Sequence, residues 1–125
     1  MSRDIEFKVW DKYHKMIWDV YNIDTLDKTV LFTQGVTRRF DEVVFMQYTG
    51  LKDINGKKIF EGDRVTFTYG KHYNEPKGLT RTGAVVYDKK YAAFVVAIDN
   101  SKVKINFRDV IRIEVIGNIH DKPIK

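Results

Sequence analysis

A chain of 125 residues, 43% hydrophobic and 31% charged, is long enough for one domain, or one domain and a small companion, and its core needs no disulfide or metal. It contains no cysteine, which excludes thiol nucleophiles, CxxC redox pairs, thiolate zinc sites and thiolate-held iron–sulfur clusters. The formal charge of +5 is uneven: residues 1–50 hold seven basic and eight acidic groups and residues 51–125 hold fifteen and nine, so the basic excess lies in the second part and permits an encounter with nucleic acid.

Short alternating apolar runs dominate the chain from its start. In Ile5-Glu6-Phe7-Lys8-Val9 one face is apolar and the other charged, the period of a half-buried strand. Asp11-Lys12-Tyr13-His14-Lys15 reads as a hairpin loop, and Met16-Ile17-Trp18-Asp19-Val20 resumes the alternation. Thr29-Val30-Leu31-Phe32-Thr33 and Glu42-Val43-Val44-Phe45-Met46-Gln47 are β-rich runs on either side of a turn at Gly35. Gly50, Asn55-Gly56 and Glu61-Gly62-Asp63 punctuate the middle; Asn55-Gly56 predicts a type I′ turn with Lys57-Lys58-Ile59-Phe60 as the returning strand. Strands are then expected at residues 64–69, 83–87, 92–97, 103–107 and 111–116, with a loop over 70–80, a helical turn at Arg108-Asp109-Val110, a bulge at Gly117 and a C-terminal tail around Pro123.

The fold class expected is therefore all-β: an N-terminal antiparallel β section over residues 1–50, then a small barrel with a C-terminal tail over 51–125, acting as one cooperative unit. A closed or nearly closed barrel is expected because closure removes unpaired sheet edges. Trp10, Trp18, Phe7 and Phe45 read as core or subunit-interface aromatics. No internal repeat is visible. No run approaches the ~20 apolar residues of a membrane helix, and the first residues lack the apolar core of a signal peptide, so a cytoplasmic protein without a membrane partner is expected.

Three blocks carry a family resemblance. The opening Ile5-Glu6-Phe7-Lys8-Val9-Trp10-Asp11, the central stretch from Met46 through Tyr48-Thr49-Gly50-Leu51-Lys52-Asp53-Ile54-Asn55-Gly56 to Glu61-Gly62-Asp63, and the closing Ile113-Glu114-Val115-Ile116-Gly117-Asn118-Ile119-His120 resemble, in order, the YopX family of small proteins of bacteriophages and prophages. The resemblance implies an all-β architecture with an SH3-like barrel, encoded by a phage and active in the host bacterial cytoplasm. It implies no activity on named residues. Gly62-Asp63-Arg64-Val65 followed by Gly83-Ala84-Val85-Val86 is also similar to KOW-type barrels of ribosomal proteins and elongation factors.

Two groups of residues are candidate sites. The central loop gathers Gln47, Tyr48, Lys52, Asp53 and Asn55 around glycines, a setting in which backbone N–H groups could meet an anion, or in which Asp and Asn simply bond their own turn. It is no calcium loop, because an EF-hand needs Asp or Asn at 57 and Gly at 58, where lysines stand. In the second part Lys57, Lys58, Arg64, Arg81, Lys102, Lys104 and Arg112, interleaved with Tyr69, Tyr73, Tyr87 and Tyr91, form a candidate nucleic-acid surface if the outer faces of their strands adjoin. His14, His72 and His120 lie far apart, serine occurs only at 2 and 101, and no GxGxxG or Walker motif exists. Catalytic residues, a metal and a cofactor are accordingly not expected. The function expected is non-enzymatic binding of a host or phage protein, with homo-oligomers through the N-terminal strands; the alternative is binding of RNA or single-stranded DNA by the basic strands.

Overall fold

The computed structural model of the chain describes residues 6–69 and 79–120. All its regular structure is antiparallel strand and two single 3-10 turns, divided between two compact units, Met1–Tyr48 and Thr49–Lys125. In the first unit β1 (Phe7–Asp11), β2 (Met16–Asp24), β3 (Thr29–Phe32) and β4 (Thr37–Arg39) are followed by a 3-10 turn, Phe40–Glu42, and by β5 (Val43–Lys52), which continues into the second unit. There β6 (Lys58–Phe60) hydrogen-bonds to β5, and β7 (Asp63–Tyr69), β8 (Leu79–Asp88), β9 (Ala93–Ile98) and β10 (Lys104–Asn106) precede a second 3-10 turn, Phe107–Asp109, and β11 (Val110–Asn118).

Alternation decides which side chains enter each core. Val9 of β1 stands opposite Trp18 of β2 and Phe45 of β5, so these three share a face. Val9, Val30, Phe32 and Val43 are buried there, with Trp18, Val20, Ile23, Val36 and Phe45 packed around them. Trp18 stacks on Phe32, and Phe45 takes the ring edges of Phe7 and Phe40. In the second unit the same rule buries Ile59, Val65, Phe67, Val85 and Val96 under Ile98, Ile105, Phe107, Val110, Ile113 and Val115. At roughly 25 cal/mol per Å² of apolar surface, each such fully buried side chain contributes about 1.5–3 kcal/mol.

The fold repeats where the sequence shows no repeat. The first unit orders its strands β4-β3-β2-β1-β5 and the second, after β6, β10-β9-β8-β7-β11, so in each run of five the first strand lies between the second and the fifth. In both, a 3-10 turn beginning at a phenylalanine, Phe40 or Phe107, joins the fourth strand to the fifth. The likeness extends to turn chemistry. Between second and third strands, Asp24 accepts the N–H groups of Leu26 and Asp27, and Asp88 accepts that of Lys90. Four residues on from each aspartate stands a left-handed residue, Lys28 or Ala92.

Over 51–125 the described residues form a five-stranded antiparallel sheet, β10-β9-β8-β7-β11, in which no ladder pairing joins β10 to β11. The turn at Asn55-Gly56 is not type I′. Only Gly56 has positive φ, and Gly56 N–H bonds to Asp53 O, so a type I turn is followed by a left-handed glycine. The bulge expected at Gly117 is present, as a register shift between Val115 and Gly117. Most of the loop expected at 70–80 lies outside the described residues.

Gly83 shows how tightly β8 and β9 approach. A Cβ there would lie 2.9 Å from Val96 Cγ1 and closer still to the Ala97 carbonyl oxygen, which is backbone and cannot swing away. Gly83→Ala is therefore expected to destabilise the protein by about 2 kcal/mol through overpacking, read as a lowered midpoint in urea unfolding.

Candidate functional site

The central loop is held by one carboxylate. Asp53 is buried, and its Oδ1 accepts the N–H groups of Asn55 and Lys57, both at 2.9 Å, while Oδ2 accepts Val115 N–H from β11 at 3.0 Å. The neighbouring Ile54 N–H donates to Ile113 O at 2.9 Å, and Asn55 Nδ2 reaches Glu114. Burial would raise the Asp53 pKa, but the N–H donors of Val115, Lys57 and Asn55 and the charge of Lys57 outweigh it and hold the carboxyl below its ordinary range. The candidate group is thus dispersed: Gln47 and buried Tyr48 belong to the first unit, exposed Lys52 flanks the loop, and Asp53 and Asn55 are engaged in making its turn. No N–H group that Asp53 accepts remains to hold an anion.

Three other buried carboxylates have the same role. Asp63 Oδ2 accepts Phe60 N–H at 2.8 Å, closing the Glu61-Gly62 corner. Asp88, already described at its hairpin, also takes Lys104 Nζ at 3.2 Å. Asp11, wholly buried, accepts Tyr13 N–H at 2.9 Å and lies 3.0 Å from His14 Nδ1 and 3.5 Å from Arg38 Nε. Its burial would raise its pKa, yet hydrogen bonding to His14, the N–H groups of Tyr13 and His14 and the Arg38 charge bring it below the ordinary value. Arg38 in turn lies over the Tyr13 ring, 5.3 Å from its centre, and His14 meets that ring edge-on at 4.9 Å. The sequence reading missed this group because Arg38 is far from Asp11 along the chain, and only the pairing of strands brings them together.

The basic strands of the second unit are partly neutralised. Register places Arg64, Ala84, Ala97 and Lys104 in one row across four strands, and Arg112, Thr68 and Thr80 in another on the same face. Arg64 pairs with Asp99 through both terminal nitrogens, Lys104 with Asp88, and Glu114 stands two residues from Arg112 on β11. Two of these three cations are therefore paired with carboxylates. Arg112 and Lys104 sit on opposite edge strands with three strands between them, so the outer faces do not adjoin through the ladder. Arg81 bonds its neighbour's carbonyl, Lys57 and Lys102 are exposed, and Lys58 is half-buried on β6. Beside Arg112 a shallow depression of about 130 Å³, walled by Ile54, Thr66, Thr68 and Thr80, falls well short of the roughly 300–1,000 Å³ of small-molecule sites.

The fold and its ionisable groups define an all-β protein of two topologically equivalent units whose buried acids serve as turn clamps. The chain belongs to the YopX protein family, matched over residues 6–125. Its structure is similar to the crystal structure of protein EF1440 from Enterococcus faecalis, with a TM-score of 0.62, 25% sequence identity and 95% of each chain covered. No curated protein matches it. Among the described residues no helix is long and apolar enough to cross a membrane.

Because the Asp53 pKa is depressed on folding, its contribution to stability is complete above the ordinary aspartate value of 3.8 and is lost as pH falls through the lower folded value. Asp53→Ala leaves three N–H groups without their acceptor and is expected to cost about 2–3 kcal/mol in urea unfolding at neutral pH. Asp53→Asn, which cannot titrate, should lose less stability than the wild type as the pH falls below about 5.

Proposed function

We propose that this chain is a non-enzymatic binding module, encoded by a phage or prophage, that docks on a host or phage protein in the bacterial cytoplasm. Buried Asp11, Asp53 and Asp88 accept backbone N–H groups and their pKa values are held below the ordinary carboxylate range, the opposite of a general acid's raised pKa, which supports binding over catalysis. An SH3-like character for each unit is supported by the strand order and by the 3-10 turn between fourth and fifth strands. The phage origin and cytoplasmic location are those the family resemblance implies.

The observation that carries the reading is Tyr13. It is 75% exposed, yet Arg38 and His14 fix its ring, and buried Asp11 fixes both of them. An exposed aromatic already held in place loses little rotamer freedom when a partner covers it, and Tyr with Arg is the composition of interface hot spots. Leu26, 90% exposed in the β2–β3 turn, adds a second apolar anchor on the same unit.

Affinity purification from phage-bearing cells tests this. A protein should be retained by the wild type and recovered at least ~tenfold less with Tyr13→Ala, a change that removes an exposed ring and leaves the core intact. Recovery of the bait alone at several salt concentrations, or equal recovery with the variant, would count against the reading.

A further inference from the structure

The second unit carries a group of charges and rings that the turn holding them does not require. The β8–β9 ladder closes at Asp88 opposite Ala93, leaving Lys89, Lys90, Tyr91 and Ala92 as the hairpin tip, all exposed. Asp88 makes this tip rigid through Lys90 N–H at 2.8 Å and Lys104 Nζ at 3.2 Å. Register places the second 3-10 turn at the same end. Asn106 stands opposite Val95, so the chain beyond it runs toward Ala93 and brings exposed Arg108 beside the tip.

Two tyrosines flank these cations. Tyr91 is 63% exposed with Lys90 Nζ 5.6 Å from its ring centre, and Tyr87 is 45% exposed with its ring held edge-to-face against Phe94 at 5.3 Å. Lys89, Lys90 and Arg108 make no ion pair among the described residues, whereas Arg64 and Lys104 are committed to Asp99 and Asp88. Three cations without a carboxylate partner thus lie with two exposed rings around one hairpin tip.

The first unit provides an internal control for turn chemistry. Its β2–β3 tip has the same length, the same aspartate clamp and the same left-handed residue, yet reads Asp24-Thr25-Leu26-Asp27-Lys28, and its 3-10 turn has Asp41 where the second has Arg108. The turn folds with Thr25, Leu26 and Asp27 where the second unit has Lys89, Lys90 and Tyr91, so folding alone does not account for those three. Cations that follow a backbone beside rings on which bases stack are the makings of a single-strand site. We infer that the β8–β9 tip and the adjoining 3-10 turn bind single-stranded nucleic acid, Tyr87 and Tyr91 stacking on bases while Lys89, Lys90 and Arg108 meet phosphates. This goes beyond the protein-binding reading and is independent of it, because it uses the other unit and none of the residues around Tyr13.

Fluorescence anisotropy with labelled oligo-dT and oligo-rU, titrated with the full chain between ~50 and ~200 mM salt, tests it. Three phosphate contacts predict that log K falls against log salt with a slope of about −2. The double variant Lys89→Ala/Lys90→Ala should weaken binding about tenfold at low salt and bring the slope near −0.7. Tyr91→Ala should weaken it about tenfold with the slope unchanged, a separation that a purely electrostatic surface would not give. Lys57→Ala/Lys102→Ala, equal in charge but away from the tip, should stay within about twofold of wild type. The preference between the two oligomers identifies RNA or DNA as the natural strand. The inference is overturned by no binding at ~50 mM salt, by duplex bound as tightly as single strands, or by the Lys57/Lys102 variant losing as much as the Lys89/Lys90 variant. Loss of a captured protein by the tip variants, with oligonucleotides unbound, would overturn it as well.

Discussion

A buried carboxylate accepting backbone N–H groups is the interaction on which the structure depends. Asp11, Asp53, Asp63 and Asp88 each lie at the point where a strand gives way to a turn, and each collects donors that the ladder can no longer satisfy. A buried N–H without an acceptor costs about 1–3 kcal/mol, so one aspartate replaces several separate solutions to the same problem. Aspartate suits the task because its short side chain reaches N–H groups two to four residues away, onward at Asp11, Asp53 and Asp88 and backward at Asp63. The charge is retained on burial because those donors, together with Lys57, Lys104 or Arg38, favour the ionised form.

That economy frees the loop surfaces to differ. The two units share strand order, 3-10 turn and hairpin clamp, but one tip presents Leu26 and Asp27 and the other Lys90 and Tyr91. The strands show the same divergence. On the outer face of the first unit the row across β5, β1 and β2 is Val44, Trp10 and Ile17, whereas the corresponding row across β11, β7 and β8 is Arg112, Thr68 and Thr80. A common frame thus carries contrasting faces.

Much of the fold was legible because period two is a direct consequence of strand geometry: Phe7, Val9 and Trp18, or Val65 and Phe67, announce their shared faces wherever they occur. The turn at Asn55-Gly56 was legible in place but not in type, since the Asp53 clamp favours a conformation that the dipeptide alone does not specify. The repeat was hidden because strand order is a property of pairing, and unrelated apolar residues satisfy the same alternation. The candidate surfaces were least legible. Whether Arg64 is available depends on Asp99, and whether Lys104 is available on Asp88, and these partners are brought in by register rather than by neighbourhood in the sequence.

β11 is an edge strand of nine residues, the kind of element that recruits strands from other molecules. Two of its outward-pointing groups are already occupied, the Ile113 carbonyl by Ile54 N–H and the Val115 N–H by the Asp53 carboxylate. The 53–57 loop thus acts as a cover strip along an otherwise open ladder, denying incoming chains the register they would need. In a β-rich chain an unpaired edge is what incoming strands template on, so a loop that occupies those groups works against edge-to-edge pairing in a way that net charge alone does not.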